Sequence, residues 1–364
     1  MKIRVNRDVL ADAVAWTARL LPGRSTVPAL SGLLLEADAD LRISVFDYEV
    51  SAWAQIEADV AAPGRVLIPG RVLAEITKSL PDRPVDLYRD GGEAVLTCGS
   101  LEYDLLVLPD EDFPSLPAMP PKAGAVGGGV FASAAGQVAA AASRDDSLPM
   151  LTGVRIDIDG VRVSMAATDR YRIAAREFLW HPERPDERRG VVVPARLLVE
   201  AARSLREGEI SIGLGENVIG LRNQDRTVIV RLLDDQFIDY RSRLSEQWPI
   251  HADLALAPFV EAVKRVTLVA EPNTPVRLAF SPGQVLIRAG GGSIGRSTEI
   301  VAAELDGPDI DIAFQPHFLL DGLAGVETER VRLHMATPTR AALITEEGDD
   351  PAFRYLVMPV RPHG

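Results

Sequence analysis

Cysteine is nearly absent. Cys98 is the only one in 364 residues, so no disulfide can close within the chain and a cysteine-built zinc site is not expected. Its setting, "AVLTCGS", reads as a strand, and a packed core thiol is expected there rather than a nucleophile. The five histidines are scattered along the chain, and no His, Cys, Asp or Glu set has metal-ligand spacing, so neither a metal nor a cofactor is expected. Long apolar runs are missing too: none approaches the roughly 18 to 20 residues that a membrane span needs. The opening "MKIRVNRDVLADAV" lacks the apolar stretch and cleavage site of a secretory signal, so a cytoplasmic protein without a membrane partner is expected. Positive charge is short as well. Lys and Arg number 39 against 52 Asp and Glu, a net charge of -13, which argues at first against nucleic acid, whose phosphates demand a basic surface.

What the chain does have is repetition. "TVPALSG" at 26–32 returns as "SLPMLTG" at 147–153, with Pro28 and Pro149 lying 121 positions apart. "GRVLIPGRVLAEITKSLP" at 64–81 returns as "GVVVPARLLVEAARSL" at 190–205 and more faintly as "DIAFQPHFLLDGLAGV" at 311–326, with Pro69, Pro194 and Pro316 spaced by 125 and 122. "FDYEVSA" at 46–52 faces "TDRYRIA" at 168–174, and "DEDFPSL" at 110–116 faces "DDQFIDY" at 234–240. The period is too long for a solenoid unit, so each copy is a whole domain. A chain of this length also suits two or three cores. The expected domains are 1–120, 121–248 and 249–364, with "LPAMPPKAGAVGGG" at 116–129 as a linker and the second boundary within "SEQWPIHADLA" at 245–255.

Each copy reads as helix, strands, helix, strands. "VRIDIDGVRVSM" alternates on both sides of Asp159-Gly160, a strong hairpin signal, and "LLLEADADLRISV" and "VRLAFSPGQVLIRA" occupy the same place in the other copies. Helical apolar spacing links Val9, Ala13, Trp16 and Leu20, then Phe131, Ala135, Val138 and Ala142, then Phe259, Val263 and Val266. The second helix of a copy is marked by Leu73, Ile76 and Leu80, or by Leu198, Ala201, Ala202 and Leu205. The three repeat prolines fall at those helix starts. The fold class is therefore α+β, built of three tandem copies of one domain.

The helices alter the charge argument. The segments 6–24, 70–80, 131–144, 194–206, 257–266 and 316–325 together carry +5 in a chain of -13. An acidic protein with basic helices can present those helices to phosphate. Surface helices are also commonly rich in Lys and Arg, so the count alone leaves both readings open.

These motifs in this order, together with the C-terminal "YLVMPVRP", resemble the bacterial sliding clamp, the β subunit of the replicative DNA polymerase, over Met1 to Arg361. The resemblance implies a head-to-tail homodimeric ring of DNA-clamp domains, with helices lining a hole around duplex DNA and no enzymatic activity. A closed ring needs only weak, sequence-independent phosphate contacts, and weak contacts permit sliding. It implies DNA-facing roles for Arg24, Arg71 and Arg196, to which the charge count adds Arg144 and Arg203 on the same helices.

The resemblance also implies an apolar pocket that receives short peptide motifs from the replicative polymerase, the clamp loader, repair polymerases and ligase. Its residues would be Leu151, Thr168, Arg170, Tyr171, Arg172, Ile173, Ser245, Pro249, Val357, Met358, Pro359, Val360 and Arg361. Leu105, in the strand "LEYDLLVL" at 101–108, and Leu268 are the candidates for the dimer interface, where edge strands would pair. Two segments depart from the family pattern: "FIDYRSRLS" puts Ser245 at a pocket proline, and Pro362 and His363 follow "MPVR" where leucine is usual. They suggest an alternative, a specialised or inhibitor-tolerant second copy. A further alternative is a peptide-binding scaffold that does not encircle DNA.

An enzyme is the rival class. "GGGSIG" at 290–295 satisfies both G-x-G-x-x-G and, around Ser293, G-x-S-x-G, but each demands a helix next, and "RSTEIVAAEL" is β-branched without a periodic face. The pairs Asp145-Asp146, Asp234-Asp235 and Asp349-Asp350 read as solvated loops rather than Mg²⁺ sites.

Overall fold

The computed structural model describes residues 1–23, 26–233, 237–245, 247–271, 274–291 and 294–360. Among them are seven α-helices: α1 (Arg7–Ala18), α2 (Gly70–Ser79), α3 (Gly128–Ala139), α4 (Ala195–Ser204), α5 (Tyr240–Leu244), α6 (Leu256–Val266) and α7 (Pro316–Ala324). The strands form antiparallel sheets of five, nine and twelve strands. The architecture is α+β, with a helix at the start of each copy and a second after its hairpin.

The recurring phrase has a structural cause. Pro28–Ser31 and Pro149–Thr152 are both single 3₁₀ turns, and in each the last hydroxyl donates to the proline carbonyl, Ser31 Oγ at 2.6 Å and Thr152 Oγ1 at 2.7 Å. The glycine that follows opens a strand pressed against its neighbour. A Cβ on Gly32 would meet Leu67 Cδ1 at 2.7 Å, and one on Gly153 would meet Val192 Cγ1 at 2.5 Å. Proline presets the turn, the hydroxyl closes it, and the missing side chain admits the adjacent strand.

The chain separates into two compact units that do not follow the repeat boundaries: residues 1–129, 181–184 and 200–232 form one, and 130–180, 185–199 and 233–364 the other. Strand pairing between copies accounts for this. In the first unit Arg226–Arg231 pairs with Val50–Ile56, joining strands of the first and second copies in the nine-stranded sheet. In the second unit Arg172–Leu179 pairs with Phe353–Val357, joining strands of the second and third copies in the twelve-stranded sheet.

All three expected hairpins form: Gly32–Ala37 with Leu41–Phe46, Gly153–Asp159 with Arg162–Thr168, and Val276–Ser281 with Gly283–Gly290. Gly160 and Gly283 turn at φ 58° and 82°, a region that L side chains resist. Cys98 ends a strand and is buried. Residues Arg296–Asp306 form a strand, not the helix that either glycine motif requires, while Ser293 lies outside the described residues. Asp145, Asp146, Asp349 and Asp350 are exposed, and Asp234-Asp235 lies outside the described residues. Among the described residues no helix is long and apolar enough to cross a membrane.

Several expectations change. The expected linker is half strand: Lys122–Gly127 pairs with Glu209–Leu214, and Gly128 begins α3. The glycines there serve contact rather than freedom, since a Cβ on Gly128 would lie 2.5 Å from the Leu205 carbonyl oxygen. On α1 the core face is Leu10, Ala13, Val14, Trp16 and Thr17, whereas Val9 is 42% exposed. Helix α3 stops at Ala139, so Ala142 is only half-buried beyond it and Arg144 lies in the loop that follows rather than on the helix. Leu105 points inward at 6% exposure because the strand Leu101–Leu106 alternates, and the outward leucine is Leu106.

Candidate functional site

The site begins with the turn between strands Arg162–Thr168 and Arg172–Leu179. Thr168 Oγ1 donates to the Arg172 carbonyl at 2.7 Å and accepts from Arg170 N at 3.1 Å. Asp169 Oδ1 accepts from the backbone N–H of Tyr171 and Arg172. These short polar side chains satisfy the turn's own backbone and hold Arg170 at φ 79°, rare for a residue other than glycine. The consequence is that Tyr171 is thrown outward, 59% exposed, while Arg172 is drawn in.

Arg172 is held on every side. Its Nε donates to Asp169 Oδ2 at 2.8 Å, and its Nη1 donates to Asp321 Oδ2 at 2.5 Å and Tyr355 Oη at 3.2 Å. Its guanidinium lies 4.4 Å from the centre of the Phe318 ring. Burial opposes the charge, but the Tyr355 oxygen and the two carboxylates outweigh it and raise its pKa. Burial likewise pushes the Tyr355 phenol up, and its hydroxyl donates to the Phe318 carbonyl at 2.9 Å. Helix α7 can lie this close because Gly322 faces Tyr355, where a Cβ would collide with the ring.

Above this ionic cluster is an aromatic and thioether surface. Tyr171 stacks on Phe318 with centroids 6.2 Å apart, and His317 packs on Phe318 from 4.2 Å. Met358 N donates to the Tyr171 carbonyl at 2.9 Å, and its side chain is 45% exposed. Thr168, Arg170, Tyr171, Arg172 and Met358 thus come together, with Val357 buried beneath in register with Arg172. Pro359 and Val360 are half-buried, and Val360 N donates to the Ala313 carbonyl. Leu151, buried in its 3₁₀ turn, packs with that turn on strand Arg162–Thr168.

Ile173 belongs to an apolar floor with Ala166, Ala175, Leu343 and Leu356, against which Phe237, Tyr240, Leu244 and Trp248 pack. Ser245 caps the end of α5, donates to the Arg241 carbonyl and lines a cavity of about 310 Å³ with Ser164, Glu177, Tyr240, Arg241 and Arg354. Pro249 lines a different hollow with Trp248 and Arg340. Ser245 and Pro249 therefore do not line one cavity. Arg361 lies outside the described residues.

Sequence reasoning missed Asp169, Phe318, Asp321, Tyr240 and Tyr355 as parts of this surface. Asp169 had a signal, since it recurs opposite Asp47, and Tyr240 stands in a recurring segment. Phe318, Asp321 and Tyr355 had none, because their partner lies far away in the chain.

A second candidate surface lies on α1 and α2. Arg7, Arg19, Arg71 and Lys78, with a single carboxylate from Glu75, surround a groove floored by Ala11, Ala15, Ala18 and Ala74. Small alanines let cations stand clear of the helices, and the i, i+4 spacing of Arg7, Ala11, Ala15 and Arg19 was the available signal. Arg71 donates to the carbonyls of Pro22 and Gly23, while Arg24 lies outside the described residues. Arg196 and Arg203 are exposed on α4. Arg7 is paired with Asp8 on α1, and on α6 Arg265 is paired with Glu299 and Lys264 with Glu261.

Copies of one helix-and-sheet domain whose strands continue one another's sheets, with an exposed aromatic surface and basic helices, define a repeat-built binding protein of the DNA-clamp class. Family models for the N-terminal, central and C-terminal domains of the DNA polymerase III beta subunit match residues 1–117, 125–239 and 246–361. The chain is 48% identical to a beta sliding clamp of Streptomyces coelicolor and 41% identical to the beta sliding clamp homolog GriR of Streptomyces muensis, covering 100% of both chains in each case. It also matches the solved structure of a Pseudomonas aeruginosa sliding clamp bound to griselimycin, with a TM-score of 0.93, 27% identity and 100% of both chains covered. The chain belongs to the bacterial sliding clamp family, the β subunit of DNA polymerase III.

Proposed function

We propose that this clamp works as a head-to-tail homodimeric ring on duplex DNA in the cytoplasm, tethering polymerases and other replication and repair proteins without catalysing a reaction itself. The observation that carries the reading is a pair of open strand edges. Leu101–Leu106 ends the five-stranded sheet, and residues 296–303 pair on one side only, with 283–290, among the described residues. Exposed Leu106, Leu268 and Ile300 accompany these edges, at 69%, 80% and 60%. Apolar open edges favour pairing with a second chain. Arg71, Arg196 and Arg203, with Arg7, Arg19 and Lys78, would face phosphate, and Tyr171, Phe318 and Met358 would take the apolar side chains of partner peptides.

The experiment is retention on DNA. After loading by a clamp loader, a ring stays on nicked circular DNA and runs off when the circle is cut, whereas a non-encircling scaffold responds equally to both.

A second reading, a specialised copy with an altered pocket, is favoured by Ser245, whose hydroxyl is turned into α5. Parallel titrations with a clamp-binding peptide and with griselimycin test it. Peptide binding without griselimycin binding supports the specialised copy, and equal binding removes it.

A further inference from the structure

Two of the histidines that look scattered in the sequence meet in space. Strands Ile250–Ala255 and Arg330–Met335 pair so that His251 stands directly opposite His334. Their Nδ1 atoms are 3.0 Å apart, and the rings meet edge to face at 89°. We propose that His251 and His334 form a two-imidazole site for a late first-row divalent cation, Cu²⁺ or Ni²⁺.

The spacing sets the metal class. Two metal–nitrogen bonds of about 2.0 to 2.1 Å that span this separation enclose roughly a right angle, the angle of adjacent ligands in a tetragonal field rather than a tetrahedral one. A bound metal would replace the proton that the two nitrogens otherwise share. The second nitrogen of His334 is engaged as a metal-ligating imidazole's commonly is: Nε2 lies 2.9 Å from Thr345 Oγ1, which orients the ring and leaves Nδ1 to face His251.

Carboxylates flank the pair. Asp306 stands opposite His251 on the next strand, and Glu304 is opposite Asp253. The nearby Arg332 is paired with Asp253 through contacts of 2.7 and 2.8 Å, and its remaining repulsion at His334 is the charge a bound cation must overcome. Both histidines are half-buried, so solvent reaches them. Among the described residues no third His, Cys, Asp or Glu joins the pair, so water completes the coordination.

The test is titration of the full chain with CuCl₂ and NiCl₂, followed by calorimetry, by electron paramagnetic resonance for Cu²⁺ and by paramagnetic broadening of imidazole proton resonances for Ni²⁺. One equivalent should bind with nitrogen hyperfine coupling and broaden His251 and His334 first. His334→Asn should abolish this, and Thr345→Val, which keeps both ligands, should weaken it about 10- to 100-fold. The broadening is read on the unmodified chain, so a variant that fails to fold does not leave the question open. Absence of saturable binding, or broadening centred on Met1, His181 or His317, or affinity retained in a folded His334→Asn chain, would overturn the proposal.

Discussion

Arg172 Nη1 lies 2.5 Å from Asp321 Oδ2, and the two residues are 149 positions apart in the chain. The contact ties the exposed Tyr171 turn to α7, and it has a consequence for mutagenesis. Because Asp169, Tyr355 and Phe318 also occupy the guanidinium, Arg172 shapes the surface from beneath rather than offering a free charge to a ligand. Removing it leaves Asp169 Oδ2 and the Tyr355 oxygen without their donor, so Arg172→Ala should cost about 3 kcal/mol of stability, as for other broken buried pairs. Arg172→Lys should recover only part, since an ammonium cannot reproduce the fork. Urea unfolding of both variants checks this, and an Arg172→Ala chain as stable as the parent would show that the cluster is not structural.

Met358 and Tyr171 provide the cleaner probe of ligand binding. Both side chains are exposed, at 45% and 59%, so truncation removes little of the folded core. Met358→Ala and Tyr171→Ala should each weaken a fluorescent clamp-binding peptide by roughly 1 to 2 kcal/mol, as for contacts of middling energy in an interface, with an unchanged melting temperature. Unaltered affinity in both would remove these residues from the peptide surface.

What was legible in the sequence was local chemistry. Pro28 and Pro149 announce turns because proline and the following hydroxyl act within a few residues, and the Asp159-Gly160 hairpin does so for the same reason. What was not legible depended on phase or distance. "LEYDLLVL" contains adjacent leucines, and composition does not say which one the alternation turns inward. "PPKAGAVGGG" has the composition of a loop, yet its small residues form a strand and a helix start because a partner backbone passes close by. The three-copy architecture was therefore readable, while Asp321, Phe318 and Tyr355, the partners that Arg172 finds in another copy, were not.

The basic surface on the helices should show itself in salt dependence. Arg71 donates to the backbone carbonyls of Pro22 and Gly23, which leave its charge in place, whereas Arg265 is neutralised by Glu299. Every phosphate partner that a substitution takes away should make the slope of log affinity against log salt shallower by about 0.9. Arg71→Ala, Arg196→Ala and Arg203→Ala are expected to flatten the slope, and Arg265→Ala to leave it unchanged. Fluorescence anisotropy on a short duplex at several salt concentrations measures this, and a slope altered most by Arg265→Ala would reverse the assignment.

Tyr240 should mark the alkaline limit of the fold. Its hydroxyl donates to Asp157 Oδ2 at 3.0 Å and accepts from Arg241 Nε at 3.3 Å. Burial pushes its pKa up to about 12, with the Asp157 charge adding to the rise and Arg241 opposing it. The folded value lies above the unfolded one, so this contribution to stability is complete below about pH 10 and is lost as the pH rises towards 12. Tyr240→Phe should make stability less steep across that window and delete a late-ionising phenol from the ultraviolet titration. Loss of a phenol that ionises near the ordinary value of about 10 would mean that Tyr240 is not held by burial.

Leu105 and Leu106 are neighbours with opposite roles, and substituting them separates the fold of one chain from the association of two. Leu105 is 6% exposed and faces the core, so Leu105→Ala should destabilise the protomer by about 2 to 5 kcal/mol through a cavity. Leu106 is 69% exposed on the edge strand, so Leu106→Asp should change protomer stability by no more than about 0.5 kcal/mol. In a dimer it would place a charge where a second strand docks, and sedimentation should shift towards monomer at concentrations where the parent is dimeric. Leu268→Asp, at the 80% exposed tip of its 3₁₀ turn, should act in the same direction. If Leu106→Asp stays as dimeric as the parent while Leu105→Ala dissociates without losing stability, the inward and outward assignments are reversed and the strand pairs through its other face.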